Sequence, residues 1–286
     1  LKPIGKNKII MKIDSHVHFW QYSEKEYPWI GTTMSGIRRD FIPTDAEPIF
    51  HRHGIAGCIA VQARQNEAEN EFMLSLAKRS SFIKGIVGWV PLKDKSLQSK
   101  LEAYAQQPLI RGFRHVIQDE PLLEFMLDPS FIRGLRLLHH HNYCYDLLIK
   151  PSHLPVAAAL VRLLPAQPIV IDHIAKPDIA RGEFTRWAKD IQRLASFDNI
   201  YCKVSGMTTE ARWKEWSEND FRPYLDTVVE SFGLKRLIYG SDWPVCLLST
   251  DYEQQLRMVE NYFRSFSKPE QASIFGLNAL EFYKIA

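Results

Sequence analysis

Three short stretches of this chain carry residues suited to acid–base or metal chemistry. The first is Asp14-Ser15-His16-Val17-His18. Alternate residues of a strand share a face, so His16 and His18 can aim both imidazoles at one point and hold one ion between them. The second is the apolar run Pro168-Ile169-Val170-Ile171, which ends in Asp172-His173. The third is Leu237-Ile238-Tyr239-Gly240-Ser241-Asp242. A carboxylate closing a buried strand is costly unless it is paired, hydrated or metal-bound. Singly, each stretch has a plainer explanation: a hydrogen-bonded histidine pair, a helix cap or a structural ion pair. Together, His16, His18, His173 and Asp242 form a nitrogen and oxygen set of the kind that zinc takes. Such an ion would acidify a bound water, and Asp242 would accept its proton. Without metal, Asp242 can still act as general base on water while the histidines polarise the substrate.

Cations and amides stand near the ends of other strand-like runs. Gln62 and Arg64 follow the second, Arg111, Arg114 and His115 close the fourth, and Lys150 and His153 follow the fifth. Lys203 lies within the seventh, ahead of Ser205-Gly206. An arginine can clamp a carboxylate or a developing oxyanion; equally, these cations could pair with Asp14 or Asp146. Arg64, Arg114, Gln62 and Lys150 are therefore candidate substrate contacts, and His115 joins His173 and Asp242 as a candidate catalytic group. The aromatic cluster Phe19, Trp20, Tyr22, Tyr27 and Trp29 reads as a wall over the site, with Trp20 and Trp29 facing substrate. His139-His140-His141 ends a helix, where a favourable interaction with the helix C-terminus explains it without any catalytic part. His51 and His53 receive the same reading.

Positioning these groups requires elements that bring strand ends together. Short β-rich runs alternate with amphipathic stretches through the whole chain. The strands are expected at 12–19, 55–62, 82–90, 109–115, 143–149, 168–174, 199–205 and 235–241. The helices are expected near 44–53, 66–80, 96–107, 128–141, 154–164, 183–197, 218–232 and 251–266, with two short ones at 269–275 and 278–285. Alternation of this kind indicates parallel βαβ units, and eight of them close a (β/α)8 TIM barrel, whose active site lies at the C-terminal ends of the strands. The competing open, doubly wound sheet normally opens with a glycine-rich phosphate turn; here the first strand runs into His-Val-His-Phe-Trp instead.

A chain of 286 residues suits one such barrel, since these domains run to about 250 residues. Residues 1–286 read as a single domain, with 1–11 as a flexible extension to which no role is given. Basic and acidic residues nearly balance, 36 against 33, which gives no electrostatic case for nucleic acid or an anionic membrane. No apolar run approaches the roughly 18 residues of a membrane span. Cys58, Cys144, Cys202 and Cys246 form no CxxC pair, which points to free thiols in a reducing, cytoplasmic setting. The partner expected is a small molecule, and oligomeric state cannot be read from one chain.

The motifs resemble the amidohydrolase superfamily, in particular its lactonase-like amidohydrolase 2 branch. The matching pieces are Asp14–Trp20, Gly112–His115, Tyr145–Pro155, Ile171–Pro177, Cys202–Gly206, Gly240–Pro244 and the tail Gly276–Tyr283. The resemblance implies a distorted barrel with short terminal helices. It implies His16, His18, His173 and Asp242 as the catalytic and metal-binding core, with Asp242 activating water. It also implies hydrolysis of a small lactone, of the fuconolactone or rhamnonolactone type first and of pyrone dicarboxylates second. Metal-dependent decarboxylation on the same scaffold is a further alternative. The metal-binding lysine that binuclear members carry on strand four has no counterpart here. The expectation is therefore one divalent ion, zinc first, or no metal at all.

Overall fold

The computed structural model describes residues 11–285; the stretch 1–10, most of the expected extension, lies outside them. Among the described residues there are eight strands: β1 (Lys12–Val17), β2 (Ile55–Val61), β3 (Ile83–Gly88), β4 (Ile110–His115), β5 (Cys144–Leu147), β6 (Ile169–Ile171), β7 (Ile200–Val204) and β8 (Leu237–Tyr239). Each pairs in parallel with the next in sequence order. The ring closes between its ends: Val17 bridges Trp243, His18 N donates to Trp243 O at 2.7 Å, and Asp242 N donates to His16 O at 2.9 Å. An open doubly wound sheet would reverse its strand order and leave two edges, so the barrel reading stands.

The outer layer comprises α1 (Pro43–Arg52), α2 (Ala68–Ala77), α3 (Leu97–Tyr104), α4 (Pro129–His140), α5 (Leu154–Arg162), α6 (Thr185–Ala195), the short α7 (Met207–Glu210), α8 (Glu218–Phe232) and α9 (Tyr252–Phe263). Local chemistry sets their ends. Asp128 accepts from Ser130 N at 2.7 Å and Pro129 takes the first turn of α4, which satisfies one free donor and places proline where no N–H is needed. In α8, Phe221, Tyr224, Leu225, Val228 and Phe232 recur every three or four residues and are buried, the stripe that docks a helix on a sheet.

The chain ends in α10 (Lys268–Ala272), one wide turn over Ser273–Leu277, and α11 (Asn278–Phe282). Sequence spacing suggests two separate helices here; the wide turn joins them into one run. Ala279, Phe282 and Tyr283 pack with Ile13, Ile59, Val61, Val87, Cys144, Val170 and Ile238. The C-terminal segment thus plugs the barrel's lower end and gives the lumen an apolar floor. Truncating a side chain such as Phe282 to alanine in such a floor costs about 3–5 kcal/mol. All four cysteines are free and buried. Among the described residues, no helix is long and apolar enough to cross a membrane.

Candidate active site

The histidines of β1 face inward because the strand is irregular. Ile13 packs into the lumen, while Asp14 turns outward and accepts from Ser241 N at 2.9 Å and Tyr252 Oη at 3.2 Å. Plain alternation would send His16 outward with Asp14. The register against β2 slips between Asp14 and Val17, and a slip of this kind re-aims every side chain beyond it. His16 and His18 therefore enter the lumen together. Gly240 of the facing strand end gives them room, since a Cβ there would lie 2.7 Å from His16 Cβ.

The end of β6 uses a different device. His173, Ile174, Ala175 and Lys176 have φ of 54°, 47°, 61° and 50°. A left-handed turn costs L-residues roughly 1–2 kcal/mol each, and β-branched Ile174 is least suited to it. Trp187 Nε1 donates to Ile174 O at 2.7 Å, Lys176 N to His173 O at 2.7 Å, and His173 Nδ1 meets Ser205 Oγ at 2.9 Å. These contacts hold the turn. Its result is that two neighbours, Asp172 and His173, both point inward, which a strand would forbid. Gly206 lies against His173, where a Cβ would come within 2.5 Å of Nδ1. Asp242 also has a positive φ, 62°.

The four groups converge. His16 Nε2 and His18 Nε2 are 3.2 Å apart, and Asp242 Oδ1 lies 3.4 Å from His18 Nε2, 3.8 Å from His16 Nε2 and 4.0 Å from His173 Nε2. His18 Nδ1 lies 2.8 Å from Val61 O. Burial, with His173 and Lys203 nearby, pushes His16 well below the usual imidazole range. Burial likewise lowers His173 to about 4, against the pull of Asp242 and Asp172. Burial alone would raise Asp242, but His173, His18 and His16 outweigh it and hold the carboxyl below its ordinary range. At neutral pH the site is thus a carboxylate among imidazoles, of which His16 and His173 are neutral. The donor atoms of His16, His18 and Asp242 lie within 4.8 Å of one another in buried surroundings. That buried set of two imidazoles and a carboxylate fits a zinc-like divalent ion.

Below this set lies a lattice of buried charges. Arg114 Nη1 lies 3.0 Å from Asp172 Oδ2, and its Nη2 donates to Gln62 O at 2.6 Å. Lys203 Nζ meets Asp172 Oδ1 at 3.1 Å and bonds Asp146, which also accepts from Tyr283 Oη at 2.9 Å. Burial opposes ionisation of Asp172, but Lys203, His16 and Arg114 hold it well below the usual carboxylate range. The arginines considered above as partners for Asp14 and Asp146 go elsewhere: Asp146 takes Lys203, and Asp14 takes Ser241 and Tyr252.

A cavity of about 720 Å³ opens above the site, with His18, Gln62, Arg64, Arg114, His173 and Asp242 in its wall. Arg64, Gln62, Arg114 and Trp29 are thus brought to it as the sequence suggests. His115, Trp20 and Lys150 are not. On β4, Arg114 points inward, so His115 points out, where it meets Glu120 at 2.6 Å and stacks on Phe125. Trp20 is fully buried, and so are Phe19 and Tyr27, because the loop folds back to pair Trp20 with Phe41. The aromatic cluster is packing beneath the loop, and of its members only Trp29 reaches the cavity. Lys150 stands on the surface 3.7 Å from Asp119. His139 and His140 occupy the last turn of α4, outside the cavity wall. The sequence reading missed Trp213, Lys176 and Glu210, which line the cavity from the loops after β6 and β7. For Glu210 and Trp213 the one signal was the length of the segment between β7 and α8; Lys176 follows β6 and had none.

The family model described as Amidohydrolase matches residues 13–285. A protein of Burkholderia multivorans named L-fucono-1,5-lactonase is 36% identical, the alignment covering 96% of each chain. A Burkholderia ambifaria protein of the same name is 37% identical over the same shares. The crystal structure of an amidohydrolase from Burkholderia multivorans with bound zinc superposes with a TM-score of 0.93 at 36% identity, covering 96% of this chain and all of that one. From Ile13 onward, every strand end described above falls within these matches, and the chain belongs to the amidohydrolase family.

Proposed function

We propose that this protein hydrolyses a 1,5-lactone of a sugar acid, of the kind named in its Burkholderia relatives, with Asp242 as general base. The observation that carries the proposal is the pairing of charges around the cavity. Glu26, Asp119, Glu210 and Asp242 line it. Glu26 is bonded to Arg64, Asp119 lies 3.7 Å from Lys150, and Glu210 lies 3.4 Å from Lys176. Asp242 has only histidines within salt-bridge range among the described residues. It is the carboxylate left to take a proton.

The cations support the substrate class. Arg64 is held by Glu26 and Glu69, Arg114 by Asp172, and Lys176 by Glu210. Among the described residues, Lys25 also lines the cavity and has no salt bridge, so a dicarboxylate would still have to break one of these pairs to hold both of its carboxylates. A neutral lactone with several hydroxyls can use the same groups as they stand, because paired side chains still present unused donors and acceptors. Trp29 and Trp213, each over a third exposed, offer flat apolar faces to a ring.

In the reaction, a water oxygen attacks the lactone carbonyl carbon while Asp242 takes the water's proton. Arg114 and His173, which both line the cavity, would stabilise the tetrahedral oxyanion. Collapse breaks the bond to the ring oxygen, which recovers a proton from Asp242, and the open hydroxy acid ionises in solution. A divalent ion held by His16, His18 and Asp242 would add Lewis-acid polarisation of the carbonyl. Four buried free thiols support a cytoplasmic setting for this work.

The test is proton release from L-fucono-1,5-lactone and its stereoisomers, before and after chelation. Acidification well above spontaneous hydrolysis is expected with one stereochemical group. Silence across the sugar lactones, with turnover of a pyrone dicarboxylate, would overturn the substrate assignment.

A further inference from the structure

Glu69 is fully buried and lies behind the cavity wall, not in it. It sits in the first turn of α2, where the start of a helix favours a negative charge. Its own N–H donates to Asn66 Oδ1 at 3.0 Å, which holds that turn. Both carboxylate oxygens are spent on the two residues that open the loop after β2. Ala63 N donates to Oε1 at 2.8 Å, and Arg64 Nε donates to Oε2 at 2.7 Å.

Arg64 is held on three sides. Nε goes to Glu69, Nη1 donates to Glu26 of the loop after β1, and the guanidinium carbon lies over the Tyr27 ring, 5.1 Å from its centroid. A guanidinium is rigid and planar, so these contacts fix the direction of every N–H it carries. Nη2 is left over. It has no hydrogen-bond partner among the described residues and is not sealed from solvent, and Arg64 belongs to the cavity wall. The two carboxylates that hold Arg64 are unequal. Glu26 is 46% exposed, where water competes for the pair, whereas Glu69 is wholly buried. Glu69 therefore sets the direction. The neighbouring Ala63 O accepts from Trp29 Nε1 at 3.0 Å, so a flat face and an open donor of the cavity hang from the two residues that Glu69 grips.

We propose that Glu69 is a positioning residue that holds Arg64 with Nη2 aimed at a hydroxyl of the sugar lactone. A hydroxyl oxygen can accept this N–H without displacing Glu26 or Glu69. The ring hydroxyls take no part in the acyl transfer, so the bond is as strong in the bound substrate as in the transition state. Its worth then appears in KM and not in kcat. The inference rests on the sugar-lactone reading, and the two fail differently. A wild type silent on every sugar lactone overturns both. A wild type that turns one over, with variants that bind it equally well, overturns this inference alone.

Steady-state kinetics on L-fucono-1,5-lactone, or on the stereoisomer that the wild type prefers, test it. Glu69→Gln keeps an oxygen for Ala63 N and removes the anionic partner of Arg64 Nε. KM should rise about tenfold or more, the worth of one hydrogen bond to a charged group, with kcat within about twofold of wild type. Arg64→Met should raise KM at least as much. Adding Glu69→Gln to Arg64→Met should raise KM no further, because nothing is left to aim. A purely structural role for Glu69 would lower the melting temperature and leave KM alone. An unchanged KM in folded Glu69→Gln overturns the proposal, and so do effects that multiply in the double variant. A loss confined to kcat also overturns it, since Arg64 would then act on the reacting carbonyl. If Glu69→Gln fails to fold, Glu69→Asp, which keeps the charge and draws it back by one methylene, is read in the same way.

Discussion

Two charged regions sit one above the other in this barrel, and they are built on opposite principles. In the lower one, Asp146 and Asp172 each meet a permanent cation, Lys203 or Arg114, and Tyr283 adds a hydroxyl. In the upper one, Asp242 meets only imidazoles within salt-bridge range among the described residues. A buried charge matched by a fixed opposite charge is locked, because moving a proton would leave its partner stranded. A carboxylate among imidazoles can gain and lose a proton without stranding anything. The lower region is therefore a frame, and the upper one is where a proton can move.

The sharpest way to break the comparison is to remove the proton acceptor and keep the shape. Asp242→Asn should fold and should lower kcat on the lactone by about 10²–10⁴-fold, the usual worth of a general base. Retained turnover would show that the base lies elsewhere. The complementary change, Asp172→Ala, strands Arg114 and half of the Lys203 interactions. It should destabilise the protein by about 3–5 kcal/mol, read as a shift in the urea midpoint. If Asp172→Ala were as stable as wild type, the lower region would not be the frame described here.

The upper region was more legible in the sequence than the lower one, for a physical reason. Histidines and an aspartate at the ends of apolar strands violate the hydrophobic pattern, so His16, His18, His173 and Asp242 stood out. The eight alternating units were legible on the same grounds, because burial on both faces of a parallel strand writes a continuous apolar run. Lys203 and Asp146 also break that pattern, but nothing in one sequence says that they meet each other. Pairing across the lumen is a property of barrel closure. Asp172 was hidden by a turn: only four consecutive left-handed residues allow it and His173 to point the same way. The error over His115 has a similar origin, since strand parity distinguishes it from Arg114 only once the inward residue is known. Of the loop aromatics, Trp29 reaches the cavity, but Phe19, Trp20 and Tyr27 are buried because a long loop can fold back on itself, as Trp20 does against Phe41.

A smaller effect is expected at the rim. Trp213→Ala removes one flat face from the cavity and touches none of the charged groups. It should raise KM by about 2- to 12-fold, the worth of roughly 0.5–1.5 kcal/mol of aromatic contact, with kcat nearly unchanged. A loss confined to kcat would place Trp213 in the chemistry and not in holding the ring.

The smallest effect should come from His115, and its sign follows from burial. Burial lowers the His115 imidazole from its ordinary 6.5, with Glu120 opposing the shift. Above pH 6.5 both folded and unfolded chains carry it neutral, and its contribution is fully present. As the pH falls below 6.5, the unfolded chain takes up a proton that the folded one resists, so stability drains away with acid. His115→Asn lacks this linkage. Its melting temperature should fall less steeply than that of the wild type below pH 6.5, and its turnover should match wild type at neutral pH. Parallel acid slopes would mean that His115 titrates alike in both states. A large loss of turnover in a folded His115→Asn protein would return this residue to the catalytic set, from which its outward position on β4 now separates it.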